Sequence, residues 1–428
     1  IYINKLLLNN LILVLQIIFF SIFVKKRVFP RKMVFQNLFG YSNQMSFTPI
    51  AKKMSKKDYY VLTKTFNYKD VKFLRELYGY KNIINIYEFY DFISIFKAFL
   101  LIIKNWKKIF FIKKIFLISN FGLLKLFFQI YKNYCSYLVY FKVLKKINPK
   151  KSLLMCSIGN EMFIAASKDA CNTKLYGYAV QGVSFTGQSL TSQFLFNSLD
   201  KLFCYGHSDQ IHFNNISKNN IFIFPKKIIS CGSVRDYYFS KKKKNKKNSN
   251  LKILYLRSNH IWFGDIDSVF LDKLSKILKK KFDKKFDYRI KERNNFYSGS
   301  SKGLINRKII NKSNVLIDIK KLTEDLIYES DIIVGTVSTS IIYQSLYFKK
   351  LIIQFGYRRM PWLRNINKMG INCVNRDDEI LKIFINLKKD KNFYKRLISK
   401  QKKLSNYLIE RKKNPITIIL NELKRIND

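Results

Sequence analysis

The feature that most constrains this chain is an alternation that runs, stops and starts again. Apolar runs of strand length alternate with helix-length segments as far as "GSVRD" (Gly232 to Asp236). After the tract "KKKKNKKNSN" (Lys241 to Asn250), the alternation restarts at "KILYL". Repeats of this kind specify parallel sheets covered by helices. The tract between them has no apolar residue and one sign of charge, which reads as a hinge. The expected class is therefore α/β, with two domains of similar size joined by a hinge and extra basic, aromatic helices in the N-terminal one. The expected order is an apolar N-terminal helix over 1–30, a first domain over 31–240, a linker over 241–250 and a second domain with C-terminal helices over 251–428.

Several segments carry finer expectations. Leu6 to Val24 is apolar and is followed at once by Lys25-Lys26-Arg27, which reads as an interfacial helix with a basic cytoplasmic flank. In "KMVFQNLFGYSNQMSFTPIAKKM" we read strand, glycine-containing loop and helix, with Thr48 as the cap and Pro49 at the first helical position. Asp91 to Lys150 interleaves lysine with Phe, Ile, Leu and Tyr at helical intervals. Such segments serve either as helices covering a sheet or as a basic, aromatic face on an anionic membrane surface.

The formal net charge is +52. Two causes produce such a balance: a genome biased toward AT-rich codons, and attraction to anions such as lipid head groups or nucleotide phosphates. A hydrophobic content of 48% excludes a mainly disordered chain. The six cysteines form no CxxC, and His207, His212 and His260 have no partner at metal or triad spacing, so neither a zinc site nor a disulfide framework is expected. A reducing cytoplasm fits this usage. Asp265-Ile266-Asp267 stands where a helix begins, which favours capping over metal–nucleotide binding. No nucleic-acid-binding module is recognisable.

In an open parallel sheet, ligands bind beyond the carboxyl ends of the strands. "SDIIVGTVSTSIIYQSLYFKKLIIQFG" (Ser330 to Gly356) reads as strand, tight loop, helix, strand. Its loop offers Gly335 for a turn and the hydroxyls of Ser338, Thr339 and Ser340 beside a helix start, a composition suited to phosphate or to plain N-capping. Arg257 and Ser258 follow the first strand of the second domain. Arg289 and Lys291 lie two apart on a strand and share a face, from which they can neutralise a diphosphate or simply meet solvent. In the first domain, Asn160 and Glu161 follow one strand, and Gln181 and Gly182 end the next. Glu161 is the best-placed carboxylate for a general base, or complements its helix dipole. Gly232, Ser233 and Arg235 close this domain on the same rim, where Arg235 and Asp236 also stand to pair with each other.

The "AVQG" strand end, "YG", "GSVRD", the restart at "KILYLRS" and the Ser330–Gly356 segment together resemble the two-domain GT-B glycosyltransferases of bacterial surface and capsular polysaccharide synthesis, including the CDP-glycerol glycerophosphotransferases. The resemblance covers roughly Lys32 to Gly370. It implies two Rossmann-like domains facing across a cleft, with a nucleotide-activated donor held by the second and Gln344 added to the donor set. It also implies a glycan or lipid-linked acceptor in the cleft, no metal or separate cofactor, and a place on the inner face of the cell membrane. The family often carries His where this chain has Gln181, Lys-x-His-Pro where it has Lys291-Glu292-Arg293-Asn294, and Glu where it has Gln344. Glu161 and Gln181 are then the catalytic candidates. An alditol-phosphate transferase, with a CDP-alditol as substrate, and a catalytically inactive binding protein are the alternatives.

Overall fold

In a computed structural model of the full chain, the residues described are 28–36, 41–65, 68–115, 119–155, 160–179, 198–219, 227–240, 251–256, 286–291, 316–317, 323–336, 341–355, 371–374, 376–411 and 413–425. The apolar run Leu6–Val24, the lysine tract, the Asp265–Asp267 triplet and His260 lie outside them.

The first sheet holds β1 (Met33–Gln36), β2 (Tyr59–Thr63), β3 (Ile83–Asn85), β4 (Lys151–Met155), β5 (Lys174–Tyr178), β6 (Lys201–Cys204) and β7 (Lys227–Ser230). Every pairing is parallel, in the order β3-β2-β1-β4-β5-β6-β7. The second sheet holds β8 (Leu251–Leu256), β9 (Phe286–Lys291), β10 (Leu316–Ile317), β11 (Ile332–Thr336), β12 (Leu351–Phe355) and β13 (Asn372–Val374), again all parallel, in the order β10-β9-β8-β11-β12-β13. The strands read as short unbroken apolar runs because helices cover both faces of such sheets. Val34, Leu62 and Leu154 face one layer of the first core, while Phe35, Val61 and Leu153 face the other. This two-domain, doubly wound arrangement is the one expected.

The helices of the first half are α1 (Tyr41–Ala51), α2 (Tyr68–Tyr78), α3 (Phe92–Lys104), α4 (Trp106–Ile115), α5 (Asn120–Ile147), α6 (Glu161–Cys171), α7 (His207–Asn219) and α8 (Val234–Ser240). Those of the second are α9 (Thr323–Glu329), α10 (Ile341–Tyr347), α11 (Asp377–Lys389), α12 (Lys391–Leu408) and α13 (Pro415–Lys424). One expectation is corrected. Thr48 and Pro49 do not open a helix; α1 already runs from Tyr41, and Pro49 sits in its last turn. There its missing N–H leaves the Met45 carbonyl without its usual helical donor, and the chain turns out of the helix directly afterwards, through short turns from Lys53 to Ile50 and from Met54 to Ala51. Thr48 spends its hydroxyl on Tyr78, donating to it across 3.0 Å.

The chain end crosses back. After α12, the Glu410 N–H donates to the Tyr205 carbonyl at 2.8 Å, and α13 seats Ile419, Leu420 and Leu423 in the core beneath the first sheet. The sequence reading grouped these last residues with the second domain. Their apolar stripe instead completes the first. Glu422 pins the helix there through Lys201 at 2.9 Å and Lys227 at 3.6 Å.

Candidate functional site

Each sheet has one point where the strand order reverses, between β1 and β4 in the first and between β8 and β11 in the second. Crevices for ligands open at the carboxyl ends of such strand pairs. The orientation of the two rims follows from one contact. Helix α8 leaves the carboxyl end of β7 and carries Arg235 and Asp236 in its first turn; α9 and α10 begin beyond the carboxyl ends of β10 and β11. Arg235 Nη1 lies 3.5 Å from Glu324 in the first turn of α9, and Gln344 of α10 stands beside Asp236. Because the starts of these helices meet, the two carboxyl rims face each other.

This contact is a buried charged seam. Arg235, Asp236, Glu324 and Gln344 are all at least nine-tenths buried. Arg235 reaches Asp236 at 3.8 Å as well as Glu324. Burial pushes the Asp236 carboxyl above its usual range, with Arg235 pulling the other way. Ser233 caps α8 by accepting from the Asp236 N–H at 3.1 Å. Arg235, Ser233 and Gln344 therefore serve the joint between domains. Gly232, expected on the rim, is packed against the chain itself. Its φ is +90°, and a Cβ there would meet the Glu410 carbonyl oxygen at 2.4 Å, so what presses on this glycine is the chain's own crossing segment.

On the first rim, four polar residues follow one another across β2, β1 and β4. Gln36 ends β1 fully buried; its Nε2 donates to Tyr140 at 2.9 Å, and its Oε1 has no partner. Asn160 is fully buried beyond β4; its Nδ2 donates to the Met155 carbonyl at 2.5 Å, and its Oδ1 likewise has no partner. Glu161 is exposed in the first turn of α6. Lys64, one residue past β2, donates to Ser136 at 2.6 Å and lies 5.8 Å from the Tyr87 ring centre. Burial, helped by the nearby charge of Lys132, brings the Lys64 ammonium down to about 8. The rim thus joins two buried acceptor atoms, a carboxylate and a cation that yields its proton near neutrality. Gln36 and Lys64 escaped the sequence reading. The available signal was a polar end to an apolar strand, Gln36 in "MVFQ" and Thr63-Lys64 in "VLTK".

On the second rim, Gly335 pairs with Leu256 at the reversal point, and a Cβ on it would stand 3.1 Å from the Leu256 carbonyl oxygen. Lys291 ends β9 opposite Leu256, at the same height. The backbone therefore brings the ends of β8, β9 and β11 together. Arg257, Ser258, Ser338, Thr339 and Ser340, together with Gln181 and Gly182 on the first domain, lie outside the described residues. Among the described residues no group of three His, Cys, Asp or Glu side chains is placed to hold a metal ion.

No protein-family model matches the sequence, and no curated protein matches it. Solved structures do. The S. aureus MnaA–UDP co-structure aligns with a TM-score of 0.58 at 11% identity, over 92% of this chain and 96% of that one. The UDP-GlcNAc 2-epimerase from Neisseria meningitidis, bound to UDP-GlcNAc, gives 0.58 at 13% identity, over 92% of this chain and all of its own (100%). A glycotransferase of kitacinnamycin gives 0.51 at 8% identity, over 92% and 99%. These likenesses define the architecture as GT-B-like, two Rossmann-like domains apposed at their carboxyl rims.

Proposed function

We propose that this chain is a nucleotide-sugar-dependent glycosyltransferase of surface-polysaccharide synthesis, working at the inner face of the cell membrane. The observation that carries the reading is the apposition of the two reversal points, fixed by the Arg235–Glu324 contact. A donor held at the ends of β8, β9 and β11 lies across a gap from the polar rim of β1, β2 and β4. Gly335, Lys291, Arg257, Ser258 and the hydroxyls of Ser338, Thr339 and Ser340 would cradle the diphosphate and stabilise it as it departs. A glycan or lipid-linked acceptor would meet Gln36, Asn160 and Glu161, with Glu161 taking the hydroxyl proton. Enclosure between the domains excludes water, the competing acceptor. The UDP and UDP-GlcNAc named with two of the similar structures support a uridine nucleotide as the first donor to test. Those same likenesses favour one second reading, epimerisation of a nucleotide sugar without an acceptor; a CDP-alditol donor is the variant of the first.

The test is thermal unfolding with UDP, CDP and CMP. A nucleotide at a hundred times its dissociation constant stabilises by about 2.7 kcal/mol. We expect one of the three to do so and the Ser338→Ala/Thr339→Ala chain to lose the effect. Indifference to all three would sink the reading. Product analysis then separates transfer, which needs an acceptor, from epimerisation, which does not.

Glu161 gives a sharper check. Its side chain is exposed, so Glu161→Gln should alter stability by no more than about 0.5 kcal/mol. Turnover should fall ~10²–10⁴-fold if the carboxylate is the base. Unchanged turnover would remove Glu161 from that role.

A further inference from the structure

Helices α3 and α4 present a surface that a water-facing helix pair does not explain. α3 buries a narrow stripe, Ser94, Ala98 and Ile102, against its neighbours. The rest faces outward: Phe92 is 72% exposed, Ile93 63% and Phe96 52%, and on α4 Phe111 is 64% exposed. Ile103 and Ile115 extend the same apolar surface. Scattered exposed apolar residues are ordinary, but a continuous set of this size marks a contact surface. Lysines are threaded through it. Phe92 to Ile115 contain six lysines and no acidic residue, and Lys97, Lys104, Lys107 and Lys108 are exposed.

The position of this surface follows from α5. Its 28 residues span about 42 Å, far more than the strands beside it. The Arg31 N–H, at the entry of β1, donates to the Ile147 carbonyl, while Gln36 and Lys64 at the exits bond Tyr140 and Ser136. The sheet therefore ends level with Ser136. The residues of α5 before Cys135 continue about 22 Å beyond the carboxyl rim. Trp106 of α4 meets Phe127 in this overhang, ring centres 6.3 Å apart. The apolar, basic surface stands past the rim on which the polar residues sit.

From this juxtaposition we propose that α3 and α4 are a docking element for an anionic lipid bilayer, with aromatic and aliphatic side chains entering the acyl boundary and lysines at the head groups. Charge decides among occupants. Two copies would set six lysines against six with no carboxylate between them. Nucleic acid would satisfy the lysines but leave Ile93, Ile103 and Ile115 wet. Docking stands without the transferase reading; with it, docking explains how a lipid-linked acceptor reaches the gap.

The experiment is co-sedimentation of the full chain with vesicles of phosphatidylcholine, alone or with phosphatidylglycerol, without any nucleotide. That last condition keeps its failure separate from failure of the transferase reading. We expect binding to the mixed vesicles, at least about tenfold weaker binding to the neutral ones, and release by salt. Lys104→Glu/Lys107→Glu/Lys108→Glu and, separately, Phe92→Ser/Phe96→Ser/Phe111→Ser should each cut binding at least about tenfold, with circular dichroism as the folding control. Three outcomes overturn the proposal: variants that bind like the parent, which moves the contact to another segment such as Leu6–Val24; equal binding to neutral vesicles; and no vesicle binding, the result if a second copy or the N-terminal segment covers these helices.

Discussion

Gly206→Ala should be the most damaging small substitution in this molecule, lowering stability by about 3 kcal/mol or more. A Cβ at this position would stand 1.9 Å from the Leu408 carbonyl oxygen and 2.2 Å from its carbon. Both are backbone, with no flexible end to swing aside. The Leu408–Glu410 segment would have to lift from the first domain. That breaks the bond from the Glu410 N–H to the Tyr205 carbonyl and loosens α13, whose Ile419 and Leu423 are core residues. Gly79→Ala is the control. Unlike Gly206 it has an unfavourable φ, +95°, but its new methyl meets only the flexible end of Lys56 at 3.8 Å, so the cost should stop at about 1–2 kcal/mol. Urea unfolding measures both. Limited proteolysis gives a second readout, because the Gly206→Ala chain should be cut between Leu408 and Pro415 well before the parent. A Gly206→Ala chain as stable as Gly79→Ala, cut no faster than the parent, would mean the crossing segment is not seated here.

The strands were legible in the sequence because strands buried on both faces must be short apolar runs, and "KSLLM", "KILYL" and "LIIQF" are that and little else. Residues whose role depends on a distant partner were not. Nothing in "GSVRD" shows that Arg235 will meet Glu324, far along the chain in the other domain. Gly232 was legible only as a rim residue, because sequence patterns describe side chains, whereas the group that presses on it is the Glu410 backbone carbonyl. Pro49 misled because a Thr-Pro pair is the signature of a helix start, whereas here the helix already runs from Tyr41. The basic, apolar stretch after Asp91 was visible as composition. Only the packing of Ser94, Ala98 and Ile102 shows which stripe is inside, and that it is too narrow to cover the rest. Gln36 and Lys64 gave the faintest signal, since a polar end to a strand is commonplace until its burial is known.

Arg235→Met is expected to cost about 3–5 kcal/mol, because it withdraws the guanidinium from between two buried carboxylates and leaves their charge in the seam. The loss should depend on pH in a direction set by Asp236. Burial already raises its folded pKa above the ordinary 3.8, and removing the cation raises it further. A carboxyl with a raised folded pKa binds its proton more tightly when folded. Stability therefore falls as pH rises through the folded pKa and recovers as pH drops toward the unfolded value. The deficit should be full at neutral pH and should shrink in the acid range. Asp236→Asn on the Arg235→Met background should recover part of it at neutral pH and flatten the dependence, since one of the two charges is gone. A purely steric role for Arg235 predicts a deficit indifferent to pH and no recovery. Because the seam holds the two carboxyl rims together, unfolding of the single variant should also divide into two transitions, one per domain, where the parent shows one. Denaturation followed by tryptophan fluorescence and by circular dichroism at two pH values tests all of this. A single coincident transition with an unchanged midpoint would show that the domains are joined by the crossing helix alone, and the apposition on which the proposed transfer depends would lose its anchor.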